Sequence, residues 1–197
     1  MEPVQQGIHA RAGFVLTGGA SIRMGRDKAG LPFAGRTLVE YVAACVREAA
    51  GNVTLVGAPE RYSDLGFDAM ADHYPGCGPL GGICTALEQS TADWNLIVAC
   101  DMPGVSAAFL KELLRAAEAS GADGLVPETA TAAGSAGRQL HPLCAVYHRR
   151  VLSRALRQIG IKSFKMHEFL AILPIVRFPV AAPFVQNVNT PLDWAAR

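Results

Sequence analysis

The sequence has no surplus of either charge: eighteen Lys and Arg against seventeen Asp and Glu leave a formal net charge of +1 over 197 residues. Binding a phosphate backbone through counterion release needs a basic excess, so nucleic acid is not an expected partner. A long uninterrupted apolar run is also lacking. The longest apolar stretch, Phe169 to Val185, is broken by Pro174, Arg177, Pro179 and Pro183, whereas one bilayer crossing needs about 20 predominantly apolar residues. No membrane association is expected. The first apolar run, Phe14 to Leu16, is too short for the core of a secretory signal. Five cysteines (Cys45, Cys77, Cys84, Cys100, Cys144) form an odd, scattered set without a Cys-x-x-Cys pair, which argues against a disulfide framework and a zinc knuckle. His141 and His148 are too loosely spaced for a metal pair on one helix, and no Gly-x-Ser-x-Gly or Ser/His/Asp arrangement supports hydrolysis. These absences together predict a soluble, cytoplasmic protein with reduced thiols.

Apolar residues, by contrast, are plentiful. Half the chain is hydrophobic and 18% is charged, against about a quarter charged in an average globular protein, so a core forms and disorder is excluded. The length predicts one domain spanning residues 1–197. Gly13 to Thr17 reads as a buried strand running into a Gly18-Gly19 turn. Thr37 and Glu40 make a capping box ahead of Leu38, Tyr41, Val42 and Cys45 at helical spacing, with Gly51 as the stop. Val53 to Val56, Phe67 to Ala71 and Trp94 to Ala99 read as further strands, the last so apolar that it is expected mid-sheet. A helix should start near Leu80. Ser106 caps another, with an apolar stripe of Phe109, Leu110, Leu113, Leu114 and Ala117 and Gly121 past its end. Helices alternating with buried strands predict an α/β fold with a parallel or mixed sheet covered on both faces, whose ligands bind outside the carboxyl ends of the strands. Glu128 to Gly137, small and polar, is expected to be a mobile surface loop. Arg150, Arg154 and Arg157, followed by Lys162 and Lys165, read as a solvated basic face.

The densest chemical signal is Leu16-Thr17-Gly18-Gly19-Ala20-Ser21-Ile22-Arg23-Met24-Gly25-Arg26-Asp27-Lys28, directly after the first strand. Glycines let backbone N–H groups turn toward an anion, Ser21 adds a donor, and Arg23 and Lys28 add fixed positive charge, which suits a triphosphate. It is not a P-loop, because Gly25 is followed by Arg26 and Asp27 instead of lysine and a hydroxyl residue. Gly76 to Gly81 matches Gly-x-Gly-x-x-Gly in form, but Asp72 to Pro75 separates it from the preceding strand, so a loop gripping a flat base is preferred to a dinucleotide fingerprint. Asp101, just past the strand ending at Ala99, is placed to hold a hard cation such as Mg²⁺, and Asp72 follows a shorter strand in the same way. Near the C-terminus, Thr190, Pro191 and Asp193 are explained by helix initiation, which leaves Asn187 and Asn189 as alternate residues able to face one ligand surface.

On these motifs the chain resembles the molybdenum cofactor guanylyltransferases, within the nucleotidyltransferases that share a Rossmann-like fold. The resemblance rests on residues 16–28, Gly-Pro-Leu-Gly-Gly at 78–82, Cys-Asp-Met-Pro at 100–103 and Asn-Val-Asn-Thr-Pro at 187–191, in that order. It implies a three-layer Rossmann-like nucleotidyltransferase fold with a mostly parallel mixed sheet, and Mg²⁺-assisted transfer of GMP from GTP to the phosphate of molybdopterin with release of pyrophosphate. Leu16, Thr17, Gly18, Gly19, Ser21, Lys28, Asp72, Gly78, Pro79, Leu80, Gly81 and Asp101 would then bind the nucleotide. Arg23, Lys28 and Asp101 would be catalytic, Asp101 the metal ligand, and Lys162, Asn187 and Asn189 the acceptor side. Transient contact with other molybdenum cofactor proteins is implied as well. One departure is Gly57, where some members carry an asparagine that touches the nucleotide. The alternatives are a cytidylyltransferase for the same acceptor, a transferase for another small phosphate, a nucleotide sensor without turnover, and an NAD-dependent oxidoreductase built on Gly76 to Gly81.

Overall fold

The computed structural model describes residues 10–18, 30–130 and 137–185. The chain opens with β1 (Arg11–Leu16), a short hairpin of β2 (Pro32–Phe33) and β3 (Arg36–Thr37), and α1 (Leu38–Ala50). There follow β4 (Thr54–Gly57), β5 (Asp68–Ala71), α2 (Pro79–Gln89), β6 (Trp94–Ala99) and α3 (Ala107–Ser120). The second half comprises β7 (Gly124–Ala130), β8 (Arg138–Leu140), β9 (Cys144–His148), α4 (Leu152–Gly160), α5 (Met166–Ala171) and β10 (Ile175–Pro179).

Eight strands form one sheet in the order β10-β7-β9-β6-β1-β4-β5, with β8 also pairing with β7. β1, β4, β5 and β6 are mutually parallel through their pairings, and β9 runs antiparallel between β6 and β7. The sheet is therefore mixed and mostly parallel, as the alternation of elements implied. β6, Trp94 to Ala99, is buried at every residue and lies mid-sheet. Such a strand has an apolar neighbour above and below, which explains why its sequence does not alternate.

Local signals set the helices. Thr37 Oγ1 accepts from the Glu40 N–H while Glu40 Oε2 accepts from the Thr37 N–H at 2.7 Å, closing the capping box at the start of α1. Ser106 caps α3 by accepting from the Phe109 N–H. Both helices stop at glycines, Gly51 and Gly121, in the left-handed conformation. The α3 stripe Phe109, Leu110, Leu113, Leu114 and Ala117 is buried with Val39, Val42 and Val46 of α1 against one face of the sheet. Each large apolar side chain so buried contributes roughly 1.5–3 kcal/mol. Leu80, Ile83, Cys84 and Leu87 of α2 pack with Val151 and Ala155 around α4 and with Phe169 and Leu170 of α5 on the other face. Three layers result.

Sequence patterning missed β7, β9 and β10. In β9 the signal was present, since Leu143 to Tyr147 is an unbroken apolar run. β10 lies inside the proline-broken stretch and, among the described residues, pairs with β7 alone. A proline is tolerated at such an edge because one side of the strand needs no ladder bonds.

Two expectations need correction. Glu128 to Ala130 do not belong to a surface loop. They end β7, and the Glu128 carboxylate is only 6% exposed, held by Arg138 at 3.1 Å and Arg177 at 3.3 Å. A carboxylate needs partners of this kind to be buried at all. Residues 131–136 of that segment lie outside the described residues. Arg150 and Arg154 are likewise no simple solvated face, because both donate to the buried Asp123 carboxylate, and Arg150 also donates to the Gly121 and Ala122 carbonyls where α3 ends. Lys165 pairs with Glu168 at 3.5 Å.

Burial by itself would raise the Asp123 pKa, but the hydrogen bonds and charges of Arg150 and Arg154 outweigh it and hold the carboxyl below its ordinary range. A lowered folded-state pKa gives stability that is present above the unfolded value of about 3.9 and is lost as pH falls through the folded value. Asp123→Asn should therefore cost about 2 kcal/mol at neutral pH, discounted for the half-exposed arginines. Urea denaturation of both proteins measures this, and their difference should shrink as the pH falls below the ordinary aspartate range and through the lowered folded-state value.

Candidate functional site

The order of the strands fixes where a ligand can sit. From β1 the chain moves outward through β4 to β5, then crosses by α2 to β6 on the opposite side of β1. At such a reversal of direction open α/β sheets bind ligands outside the carboxyl ends of the strands, here those of β1 and β6. The register runs from Arg11 opposite Trp94 to Leu16 opposite Ala99. One residue further, the Cys100 N–H donates to the Leu16 carbonyl at 3.1 Å. Thr17-Gly18 and Cys100-Asp101 thus leave the sheet side by side. Asp101 is half-buried and Gly18 exposed.

On the other flank of β1, the Thr17 N–H and Oγ1 both donate to the Val56 carbonyl, at 2.8 and 3.1 Å. This double bond draws the β1 turn tightly over the end of β4. Gly57 sits directly beneath it with φ +154°, and a Cβ there would lie 2.5 Å from Thr17 Oγ1 and 2.8 Å from the Gly18 nitrogen. The departure from asparagine at Gly57 is accordingly a packing requirement in this chain: no side chain fits while Thr17 and Gly18 stay in place.

Asp72 begins the loop after β5, its N–H donating to the Gly57 carbonyl at 3.2 Å. Its Oδ1 accepts from the Tyr74 N–H at 2.9 Å and lies 3.0 Å from Thr85 Oγ1 on α2. Thr85 is fully buried and also accepts from the His73 N–H at 2.9 Å. Glu88, one turn on, accepts from the Tyr74 hydroxyl at 2.6 Å and lies 3.2 Å from His73 Nδ1. The bond to Glu88, together with burial, pushes the Tyr74 phenol up to about 12, so it stays a donor. Loop 72–78 is thereby stapled to the helix it precedes. Gly81, in the first turn of α2, passes so close that a Cβ would meet the Tyr74 carbonyl at 2.5 Å. Pro79 occupies the first helical position, where its missing N–H costs nothing.

Of the residues singled out in the sequence, Leu16, Thr17, Gly18, Asp72, Gly78, Pro79, Leu80, Gly81 and Asp101 are described, and all lie at or just beyond the carboxyl ends of β1, β5 and β6 or at the start of α2. Leu80 is completely buried in the α2 core, so neither its side chain nor its backbone is exposed to a ligand. Lys162 lies in the exposed turn after α4, with φ +58° and its N–H donating to the Ile159 carbonyl. Gly19, Ser21, Arg23, Lys28, Asn187 and Asn189 lie outside the described residues. The chain reaches Asn187 from a turn, Ala182–Phe184, that packs on the loop after Asp101: a Cβ on Gly104 would overlap the Pro183 carbonyl, and Phe184 stacks on Phe109. Sequence reasoning missed Thr85, Tyr74 and Glu88. A single threonine within the apolar run Leu80 to Leu87 was the available signal, since a buried hydroxyl needs a partner.

Among the described residues no group of three or more His, Cys, Asp and Glu side chains can enclose a metal ion. Among the described residues Asp101 would therefore share a divalent ion with substrate oxygens and water and not with a cluster of side chains. This fits Mg²⁺, which uses one or two carboxylates together with phosphate oxygens and water.

Gly57→Ala should lower stability by about 2 kcal/mol through strain at positive φ and the clash with Thr17. Thermal denaturation reads this loss. A variant as stable as the parent would show that the β1 turn does not depend on this contact.

Comparison with known proteins agrees with the fold. Residues 13–172 match the family model described as MobA-like NTP transferase domain. The molybdenum cofactor guanylyltransferase of Xanthomonas euvesicatoria is 34% identical over 188 residues, covering 93% of this chain and 92% of that protein. A probable molybdenum cofactor guanylyltransferase of Bacillus subtilis is 32% identical over 194 residues, covering 92% and 91%. The crystal structure of molybdopterin-guanine dinucleotide biosynthesis protein A from Archaeoglobus fulgidus superposes with a TM-score of 0.77 at 25% identity, covering 94% of this chain and 95% of that one. With the strand order and these matches in agreement, the chain belongs to the MobA-like NTP transferase family.

Proposed function

We propose that this protein is a molybdenum cofactor guanylyltransferase, which moves GMP from GTP to the terminal phosphate of molybdopterin and releases pyrophosphate. The observation that carries the reading is the juxtaposition, across the β1 and β6 pairing, of the turn from Leu16 and the Asp101 loop, joined by the bond from the Cys100 N–H to the Leu16 carbonyl. One bound nucleotide can meet both segments. The likeness to proteins named as guanylyltransferases over more than nine-tenths of the chain supports the choice of GTP.

In the proposed reaction an oxygen of the acceptor phosphate attacks the α-phosphorus of GTP. A phosphorus–oxygen bond forms on one side as the bond to the oxygen bridging the α- and β-phosphates breaks on the other, and that electron pair leaves with pyrophosphate. A phosphate monoester with a second pKa near 6 is mostly a dianion at neutral pH, so no general base is required. The difficulty is bringing one anion onto another, and the protein's task is charge compensation and in-line placement. The backbone at Leu16 to Gly19 with Ser21 and Lys28 holds the polyphosphate. Arg23 and Lys28 stabilise the departing charge. Asp101 is the protein ligand for Mg²⁺, which when bound supplies neutralisation of the phosphate oxygens. The loop at Gly78 to Gly81 lies against the base, Asp72 against the nucleoside, and Lys162, Asn187 and Asn189 toward the acceptor. A single domain carries the whole reaction in the cytoplasm, handing its product to other molybdenum cofactor proteins.

Purified protein given labelled GTP, Mg²⁺ and molybdopterin should release pyrophosphate and form the guanine dinucleotide, with CTP a poor substitute. Folded protein that releases none contradicts the reading. Asp101→Asn should bind GTP within about tenfold of the parent while turnover falls about a hundredfold, the size of effect typical for one preorganised electrostatic contact. Unchanged turnover would remove Asp101 from the reaction.

A further inference from the structure

Thr85 lies on the second turn of α2 with no solvent exposure at all, surrounded in sequence by Ile83, Cys84, Ala86 and Leu87, all equally buried. Its hydroxyl has one proton to give and two lone pairs to receive with. The His73 N–H occupies one lone pair at 2.9 Å. Two acceptors lie at 3.0 Å from it: the Gly81 carbonyl, one helical turn back, and Asp72 Oδ1. A bond to a carboxylate is the stronger of the two, because an ionised acceptor roughly doubles its strength.

Asp72 Oδ1 therefore has two donors, the Thr85 hydroxyl and the Tyr74 N–H. Oδ2 has no hydrogen bond to any described residue, and it faces the first turn of α2, where a Cβ on Gly81 would lie 3.3 Å away. The carboxylate is thus fixed by one oxygen and presents the other beside the start of α2, at the carboxyl edge of the sheet. A carboxylate presented there repels phosphate and attracts an N–H or O–H donor, which a nucleoside carries on its base or ribose. Glu88 ties the loop around Asp72 to α2 through both Tyr74 and His73.

We infer that Thr85 is a positioning residue for nucleoside recognition: its buried hydroxyl engages Asp72 Oδ1 and the His73 N–H so that Asp72 Oδ2 stays aimed at a donor group of the bound nucleotide. The inference rests on the proposed nucleotide role of Asp72. It separates the part of the site that reads the nucleoside from the part at Leu16 to Gly18 and Asp101 that handles phosphate. Loss of the hydroxyl should weaken nucleotide binding and leave the chemical step nearly intact.

The test is Thr85→Val, which keeps the shape and removes the hydroxyl, beside Thr85→Ser, which keeps the hydroxyl. GTP affinity is measured by calorimetry in the presence of Mg²⁺, and kcat and KM by pyrophosphate release. Thr85→Val should raise the GTP dissociation constant and KM about tenfold with kcat within about threefold of the parent, and Thr85→Ser should restore both. In an Asp72→Ala background the valine substitution should have no further effect on GTP affinity, because Thr85 acts through Asp72. Thr85→Ala supplies the same hydroxyl deletion if the valine variant does not fold. Parent-like GTP affinity in a folded hydroxyl-deleted variant overturns the inference, as does a loss that persists in full in the Asp72→Ala background. A parent protein that does not bind GTP at all contradicts the proposed function instead.

Discussion

The parallel pairing of β1 with β6 on one side and β4 on the other is the constraint on which the rest depends. Parallel strands have their carboxyl ends at the same edge, so each chain segment leaving β1, β4, β5 and β6 emerges there. The crossover through α2 then makes β1 the strand where the direction of travel reverses, and open α/β sheets bind ligands outside the carboxyl ends of their strands at such a point. Within β1, β4 and β6 the one buried polar side chain is Asn95, whose NH2 group donates to backbone carbonyls. Chemistry is consequently confined to the residues that follow each strand.

Close backbone approach shapes that edge. Thr17 bonds twice to the Val56 carbonyl, Gly57 lies under it without room for a Cβ, and the Asp72 N–H takes the Gly57 carbonyl. The three turns form a ladder continued past the end of the sheet. On the far side Gly81 presses against the Tyr74 carbonyl, and Gly82 lets α2 settle on Leu16. The glycines of the Gly-Pro-Leu-Gly-Gly motif thus have a structural reason of their own, and a base contact would come in addition to it. Opposite charges do similar work away from the site: Asp123 between Arg150 and Arg154, and Glu128 between Arg138 and Arg177, hold the second half of the sheet where its apolar pattern is thin.

Much of the first half was legible from sequence because its signals are local. The capping box of Thr37 and Glu40, the caps at Ser106, Gly51 and Gly121, and the unbroken run Trp94 to Ala99 each specify an element through neighbours in the chain. β7 and β10 gave no such signal, since their apolar runs are interrupted by Pro127, Arg177 and Pro179 and their pairing depends on residues some 50 positions apart. The basic residues Arg150 and Arg154 look like a solvated stripe until Asp123 is brought to them by the fold. The staple of Thr85 and Glu88 on Asp72, His73 and Tyr74 joins a loop to the helix after it, and no periodicity encodes which hydroxyl meets which carboxylate. Ionic and hydrogen-bonded partners selected by tertiary packing are the part that residue patterns leave open.

The proposed reaction requires that one nucleotide span the turn after β1 and the acid after β6. Crystals grown with GTP and Mn²⁺, with the anomalous signal of manganese recorded, put this requirement to the test. A manganese peak is expected at about 2.1 Å from the Asp101 carboxylate, a distance usual for a hard divalent ion, with triphosphate oxygens shared between that ion and the backbone from Leu16 to Gly18. Nucleotide density at the amino edge of the sheet, or a manganese ion bound to GTP without Asp101 or the β1 turn, would contradict it.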